Sequence, residues 1–192
     1  MDSSRQYGVH GIVLKRRNIG ESDRILSVLT KEYGKIQVIA KGVRRISSRR
    51  APHIEIFTQV RLFLHRGKTW DSITDAQTIN SFSLLRKSLS LVSAAYYLCE
   101  IVDQLLPERQ EHPDIYEYLS SALRMLSGVA VRDIYVFCEE FSMEVLGRLG
   151  YISRQTIPES RQVQSFEQVT NRVEQIIEKR LRTPSFMKRL LH

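Results

Sequence analysis

The sequence predicts an α+β fold: an N-terminal five-stranded β-barrel, OB-fold or SH3-like, in residues 1–80, followed by an all-helical C-terminal domain in residues 81–192. Three observations carry this. Apolar residues alternate with a period of two up to about residue 80, then recur every three or four residues. Glycine-containing turns punctuate the first part at short intervals. The charge is also unevenly spread. Residues 1–80 hold fifteen Lys and Arg against seven Asp and Glu, whereas residues 81–192 hold fourteen of each, so the chain's net +8 belongs to the strand-rich part.

The first strand is expected where Tyr7, Val9, Gly11 and Val13 alternate with Gly8, His10, Ile12 and Leu14. The second is the apolar run Ile25 to Thr30, and the third alternates Ile36, Val38 and Ala40 with Lys35, Gln37, Ile39 and Lys41. Val60, Leu62 and Leu64 mark a fourth strand, and Thr69 to Ile79 a fifth. Asn18-Ile19-Gly20, Glu32-Tyr33-Gly34 and Arg66-Gly67-Lys68 supply the turns. Five short strands in this length suit an OB-type Greek-key barrel or an SH3-like one.

Beyond Ser81, Leu85, Leu89, Val92, Tyr96, Cys99, Val102 and Leu106 form one helical stripe, ended by Pro107. Pro113 opens a second helix, with Ile115, Tyr118, Leu119, Ala122, Leu123 and Leu126 facing inward. A third runs from Val131 to Leu149, with Gly150 as its cap. Ser153 to Gln164 is polar and reads as a loop. A fourth helix carries Phe166, Val169, Val173, Ile176, Ile177 and Leu181, and Pro184 is expected to break it before a last turn from Phe186 to Leu191.

The densest chemical feature is the segment Lys41 to Arg50, with five cations in ten residues and Gly42, Ser47 and Ser48 between them. Clustered cations on a small barrel suit a polyanion. The expected DNA-binding residues are Lys15, Arg16, Arg17, Lys35, Lys41, Arg44, Arg45, Arg49, Arg50, Arg66 and Lys68. Neutralising eight phosphates would give a log–log salt slope of roughly −6 on single strands. Tyr7, Tyr33, Phe57, Phe63 and Trp70 are available for base stacking or for the core. Two other classes share this charge map: an RNA-binding OB-fold protein, and an adaptor that binds an acidic protein and no DNA.

Other chemistry finds no support in the residues. No phosphate-loop, nucleophile-elbow or zinc-protease motif is present, and the five histidines are scattered, so no enzyme is expected. Cys99 and Cys138 are the only cysteines and both lie in apolar helical runs, which reads as buried thiols rather than a disulfide framework. No cofactor and no metal are expected. Met1-Asp2-Ser3-Ser4-Arg5 lacks the apolar stretch of a secretory signal, so the expected location is cytoplasmic.

The string Gly11-Ile-Val-Leu-Lys15-Arg-Arg-Asn-Ile-Gly20-Glu-Ser-Asp-Arg24-Ile-Leu, with Gly34-Lys35-Ile and Ala40-Lys41-Gly42-Val-Arg44-Arg45, closely resembles the opening of the RecO family of bacterial recombination mediators. Leu149-Gly150-Tyr151 and the close from Leu181 to Leu191 also look like that family. The resemblance implies binding to single- and double-stranded DNA and annealing of complementary strands. It implies partnership with RecR, with the C-terminal tail of single-strand-binding protein, and indirectly with RecA in DNA repair and homologous recombination. That tail is acidic with a hydrophobic end, and Arg124, Arg132 and Arg148 are its candidate contacts by charge. Many family members carry a four-cysteine zinc site just after the Leu-Gly-Tyr. Residues 151–162 here contain no cysteine, so a metal-free protein is expected.

Overall fold

The computed structural model describes residues 5–152 and 165–191. Strands β1 (Gln6–Ile19), β2 (Asp23–Thr30), β3 (Gly34–Ala40), β4 (Gln59–His65) and β5 (Asp71–Asn80) form the N-terminal part. The helices are α1 (Leu89–Leu105), α2 (Pro113–Met125), α3 (Ile134–Arg148), α4 (Phe166–Ile177) and α5 (Thr183–Leu191). The strands join in a closed ring, β1-β2-β3-β5-β4, and all pair antiparallel except β3 with β5. This is the α+β architecture that the periodicities predict, and of the two barrel types they leave open it is the OB type.

The 14-residue β1 serves two neighbours: its first half pairs with β4 and its second half with β2. A bulge between Val13 and Lys15 separates the two regimes and turns the strand around the ring. Val9, Val13, Leu26, Val28, Ile36, Val38, Val60, Leu62, Leu64 and Ile73 fill the interior. Ile54, from the short 3-10 turn Ala51–Ile54, and Val43 join the same cluster and close one mouth of the ring.

The ring's weak seam lies between β3 and β5, which share only two pairs, Val38↔Asp71 and Ile39↔Ser72. The first half of β3 is completed instead by the chain after α1. Lys35 bridges Glu108 in parallel fashion, and the Arg109 amide donates to the Lys35 carbonyl at 2.8 Å. Gln37 donates to the Glu108 carboxylate. Farther on, Lys31 pairs with Glu117 at 2.7 Å, and Gln59 donates to the Tyr116 hydroxyl at 3.1 Å. Accordingly, one compact unit draws on residues up to Phe82 together with Leu106–Ser120, and the other on Ser83–Leu105 and the chain from Ser121 on. The boundary expected at residue 80 therefore lacks a returning segment, whose backbone hydrogen bonds sequence periodicity does not reveal.

The helical unit differs from expectation in two places. In α1, Leu89 is 59% exposed, while Ala94, Ala95, Tyr97, Leu98 and Ile101 are fully buried. The helix is apolar around most of its circumference, and the expected stripe follows one edge. Pro184 breaks nothing: α4 stops at Ile177 because Glu178 turns into the left-handed region, and Pro184 sits in the first turn of α5. Missing an amide costs nothing there. At the start of α5 the backbone amides of Arg182 and Thr183 donate to the Glu100 carboxylate at 2.9 and 2.8 Å. Tyr97, whose hydroxyl lies 2.9 Å from Ser142 Oγ, stacks obliquely on Phe166 and ties α1, α3 and α4 together. Cys99 and Cys138 are buried and unlinked, and burial pushes the Cys138 thiol up. The expected loop at 153–164 lies outside the described residues.

The returning segment makes a test of the ring. Gly34 has φ +64°, and a β-carbon there would overlap the Gln110 carbonyl. Gly20 has φ +54° with nothing within 4 Å of its β-carbon position. Urea unfolding should show Gly34→Ala destabilised by about 2 kcal/mol or more and Gly20→Ala by about 1 kcal/mol. Equal losses would show that Leu106–Ser120 does not press on the β2–β3 turn.

Candidate nucleic-acid interface

Register decides which side chains leave the ring. Val13, Val28 and Ile36 stand opposite one another inside, so the neighbouring row Ile12, Leu29 and Lys35 faces outward. Ile12 and Leu29 are nevertheless fully buried and Lys35 is 9% exposed, where Leu106–Ser120 runs over that part of the sheet. The bulge then re-aims β1. Lys15, Ser27 and Gln37 form the next outward row, and Arg17, Ile25, Ile39 and Ser72 the one after. Lys15 and Arg17 are exposed. The outer face of β1-β2-β3 is thus covered at one end and open, with two cations, at the other.

The basic segment borders the open end. Val43 is 1% exposed and anchors it in the core. The Gly42 amide donates to Asp23 Oδ1 at 2.7 Å, and this bond, with the nearby Lys41 and Arg45 charges, holds the Asp23 carboxyl below the usual range. That latch is complete above the ordinary carboxylate pKa and is lost only as the pH falls through the lowered value. Arg44 donates from its backbone to Ser22 O at 2.9 Å and from Nη1 to Gly20 O at 3.0 Å. Arg50 donates to the Lys41 carbonyl at 2.8 Å and to the Ile73 carbonyl, clamping the loop's two ends to β5. Lys41, Arg44, Arg45 and Arg49 are exposed.

The eleven cations expected to bind DNA therefore divide. Lys15, Arg17, Lys41, Arg44, Arg45 and Arg49 share the open face and its bordering loop. Arg16 turns toward the capped mouth and pairs with Glu55, which Arg24 also approaches at 3.6 Å. Arg50 is a clamp, and Lys35 lies beneath the returning chain. Arg66 and Lys68 sit in the β4–β5 turn, where the Arg66 guanidinium lies 5.2 Å from the Tyr7 ring centroid. Tyr7 in turn donates to Asp71 and meets Tyr33 edge-on at 5.4 Å. Burial and the Asp71 carboxylate both raise the Tyr7 hydroxyl's pKa.

Of the remaining aromatics, Phe57 is fully buried and Trp70 is half-buried in the β4–β5 turn. Phe63 faces outward on β4 across from Gly8, with the Arg61 guanidinium 5.2 Å from its centroid. In the helical unit the three candidate arginines occupy separate elements. Arg124 is in the last turn of α2, Arg132 precedes α3 and lies 3.6 Å from Asp133, and Arg148 pairs with Glu144 at 2.7 Å. Among the described residues no group of three or more His, Cys, Asp or Glu is placed to hold a metal ion, and no helix is long and apolar enough to cross a membrane.

Composition treats these cations alike, whereas the fold gives them different surroundings. Asp23 and Glu55 are rare acids in a basic stretch, and each organises cations or amides around it. The division is measurable. Arg50→Ala strips a cation from two carbonyls and should cost about 1–2 kcal/mol of stability by urea unfolding, whereas Arg49→Ala should cost under about 0.5 kcal/mol. Equal costs would remove Arg50's clamping role.

Comparison with known proteins fits this geometry. Residues 3–82 match the family profile described as recombination protein O, N terminal, and residues 86–155 the one for its C terminal. A protein of Symbiobacterium thermophilum named DNA repair protein RecO is 37% identical over 76% of this chain and 57% of its own length. Namesakes from Dehalococcoides mccartyi and a Roseiflexus species are each 35% identical, over 79% and 77% of this chain and 59% and 51% of theirs. The chain thus spans between half and three fifths of the length of these relatives. Two profiles in order over most of the chain, on an OB-type ring followed by helices, place it in the RecO family.

Proposed function

We propose that this chain binds single- and double-stranded DNA through the open face of β1-β2-β3 and the loop from Lys41 to Arg49. In this reading it acts as a non-enzymatic mediator of DNA repair and homologous recombination. The observation that carries the reading is the placement of six exposed cations, Lys15, Arg17, Lys41, Arg44, Arg45 and Arg49, on one face and its braced border. Releasing counterions from phosphates supplies sequence-tolerant affinity. Ile39, partly exposed in the same row as Arg17, offers an apolar contact rather than a base-edge donor, which suits contact with backbone and base faces.

Such a surface lowers the repulsion between two strands, which is what annealing requires. The helical unit is assigned the protein partners: RecR and the acidic tail of single-strand-binding protein, the latter through Arg124, Arg132 or Arg148. Through them the chain would help place RecA on coated DNA. Family membership and the names of the relatives support these roles, which call for action in the cytoplasm at the nucleoid.

Fluorescence anisotropy against salt concentration tests the surface. Replacing Lys15, Arg17, Arg45 and Arg49 by Ala should weaken binding to any single-stranded sequence by a similar factor. It should also flatten the log–log salt slope by about 0.7 for each phosphate no longer neutralised. Matched RNA and DNA strands separate the RNA-binding alternative, because only the 2′-OH differs. Unchanged affinity and slope in the fourfold variant would move the site elsewhere, and absence of any salt-dependent DNA binding by the parent chain would leave the adaptor reading.

A further inference from the structure

We propose that Ile46, at the apex of the basic loop, is a wedge that inserts between neighbouring bases and unstacks them. The proposal rests on the DNA-binding reading above and adds a mechanical part to it. Ile46 is 108% exposed, well beyond the other exposed large apolar residues of the described chain, which lie between 39% and 59%. It stands between Arg44 and Arg45 on one side and Arg49 on the other.

A single exposed apolar side chain is ordinary on a protein surface. Ile46 differs because the loop that presents it is braced. Val43, three residues earlier, is buried in the core. The Arg45 amide donates to Gly42 O at 3.2 Å and the Ser48 amide to Arg45 O at 2.9 Å, so two successive turns bracket position 46. Asp23 and Arg44 fix the entry of the loop to the β1–β2 turn, and Arg50 fixes its exit to β5. A β-branched side chain has few rotamers to lose, so little ordering is needed for it to meet a ligand. Cations on both sides would seat phosphates while leaving the apex aimed at the stack between them. Apolar wedges in basic surroundings unstack base steps in this way, and the cost is least for strands that are already single.

Unstacking has a use in the proposed mechanism. A strand held only by its phosphates keeps its bases stacked in its own preferred geometry. A wedge breaks that stack locally and leaves base edges open to a complementary strand.

The test uses the whole chain and an adenine-rich single strand of about 12 nucleotides carrying a central 2-aminopurine, whose fluorescence is quenched by stacking. Binding of the parent chain should raise the fluorescence at least about twofold, and Ile46→Leu should retain the rise. Ile46→Ser should lose most of it while keeping the salt slope and staying within about threefold of the parent affinity, since phosphate contacts set the slope. An equal rise with Ile46→Ser, or binding by the parent chain with no rise, overturns the wedge and leaves the DNA-binding reading intact. Absence of DNA binding by the parent overturns both. Vesicles of phosphatidylglycerol and phosphatidylcholine form the last arm. If Ile46→Ser loses vesicle binding while its DNA signal matches the parent's, the residue serves a membrane surface and the proposal falls.

Discussion

A five-stranded ring must join its third strand to its fifth, and here that seam consists of two residue pairs between β3 and β5. A sheet edge left open over the rest of β3 would expose unpaired backbone groups. The chain after α1 solves this by returning to lie along Lys35 and Gln37, then crossing toward β4 as the first half of α2. Other features depend on that return. Gly34 carries no side chain where Gln110 crosses, and Lys35 is buried although its strand position faces outward. The outward apolar row Ile12 and Leu29 has a cover, and only one end of the β1-β2-β3 face stays open.

What remains open is cationic, and holding it together is an electrostatic problem. Five cations in the ten residues from Lys41 to Arg50 repel one another. The structure answers by using some of them as internal donors. Arg50 and Arg44 reach backbone carbonyls, Asp23 accepts from the loop's own backbone, and Glu55 gathers Arg16 and Arg24 beneath the capped mouth. The set of exposed cations on this side is smaller than the sequence total. It sits on rigid strands and on a loop tied down at both ends, so a polyanion meets it at little cost in ordering.

Much of the fold is legible in the sequence because barrels and helices announce themselves by period. The five strands, the helix openings at Pro113 and Phe166 and the cap at Gly150 all follow from local chemistry. Three things do not. The return of Leu106–Ser120 depends on backbone bonds between residues some seventy positions apart. The bulge after Val13, which decides that Lys15 and Arg17 face out, changes register without changing composition. The roles of Arg16 and Arg50 depend on which carboxylate or carbonyl folds beside them. Pro184 illustrates the same limit: a proline ends one helix or begins the next, and only the left-handed Glu178 shows which.

The central claim is that DNA meets the open end of the β1-β2-β3 face and its bordering loop, and not the opposite face of β4 and β5, where Phe63 and Arg61 stack. Amide hydrogen exchange of the whole chain, with and without a saturating single strand, addresses it most directly. Slowed exchange is predicted in peptides spanning about residues 14–28 and 36–50, with residues 59–65 and 108–119 unchanged. Protection confined to residues 59–65 and 74–80, with none in the loop from Lys41 to Arg50, would contradict the account.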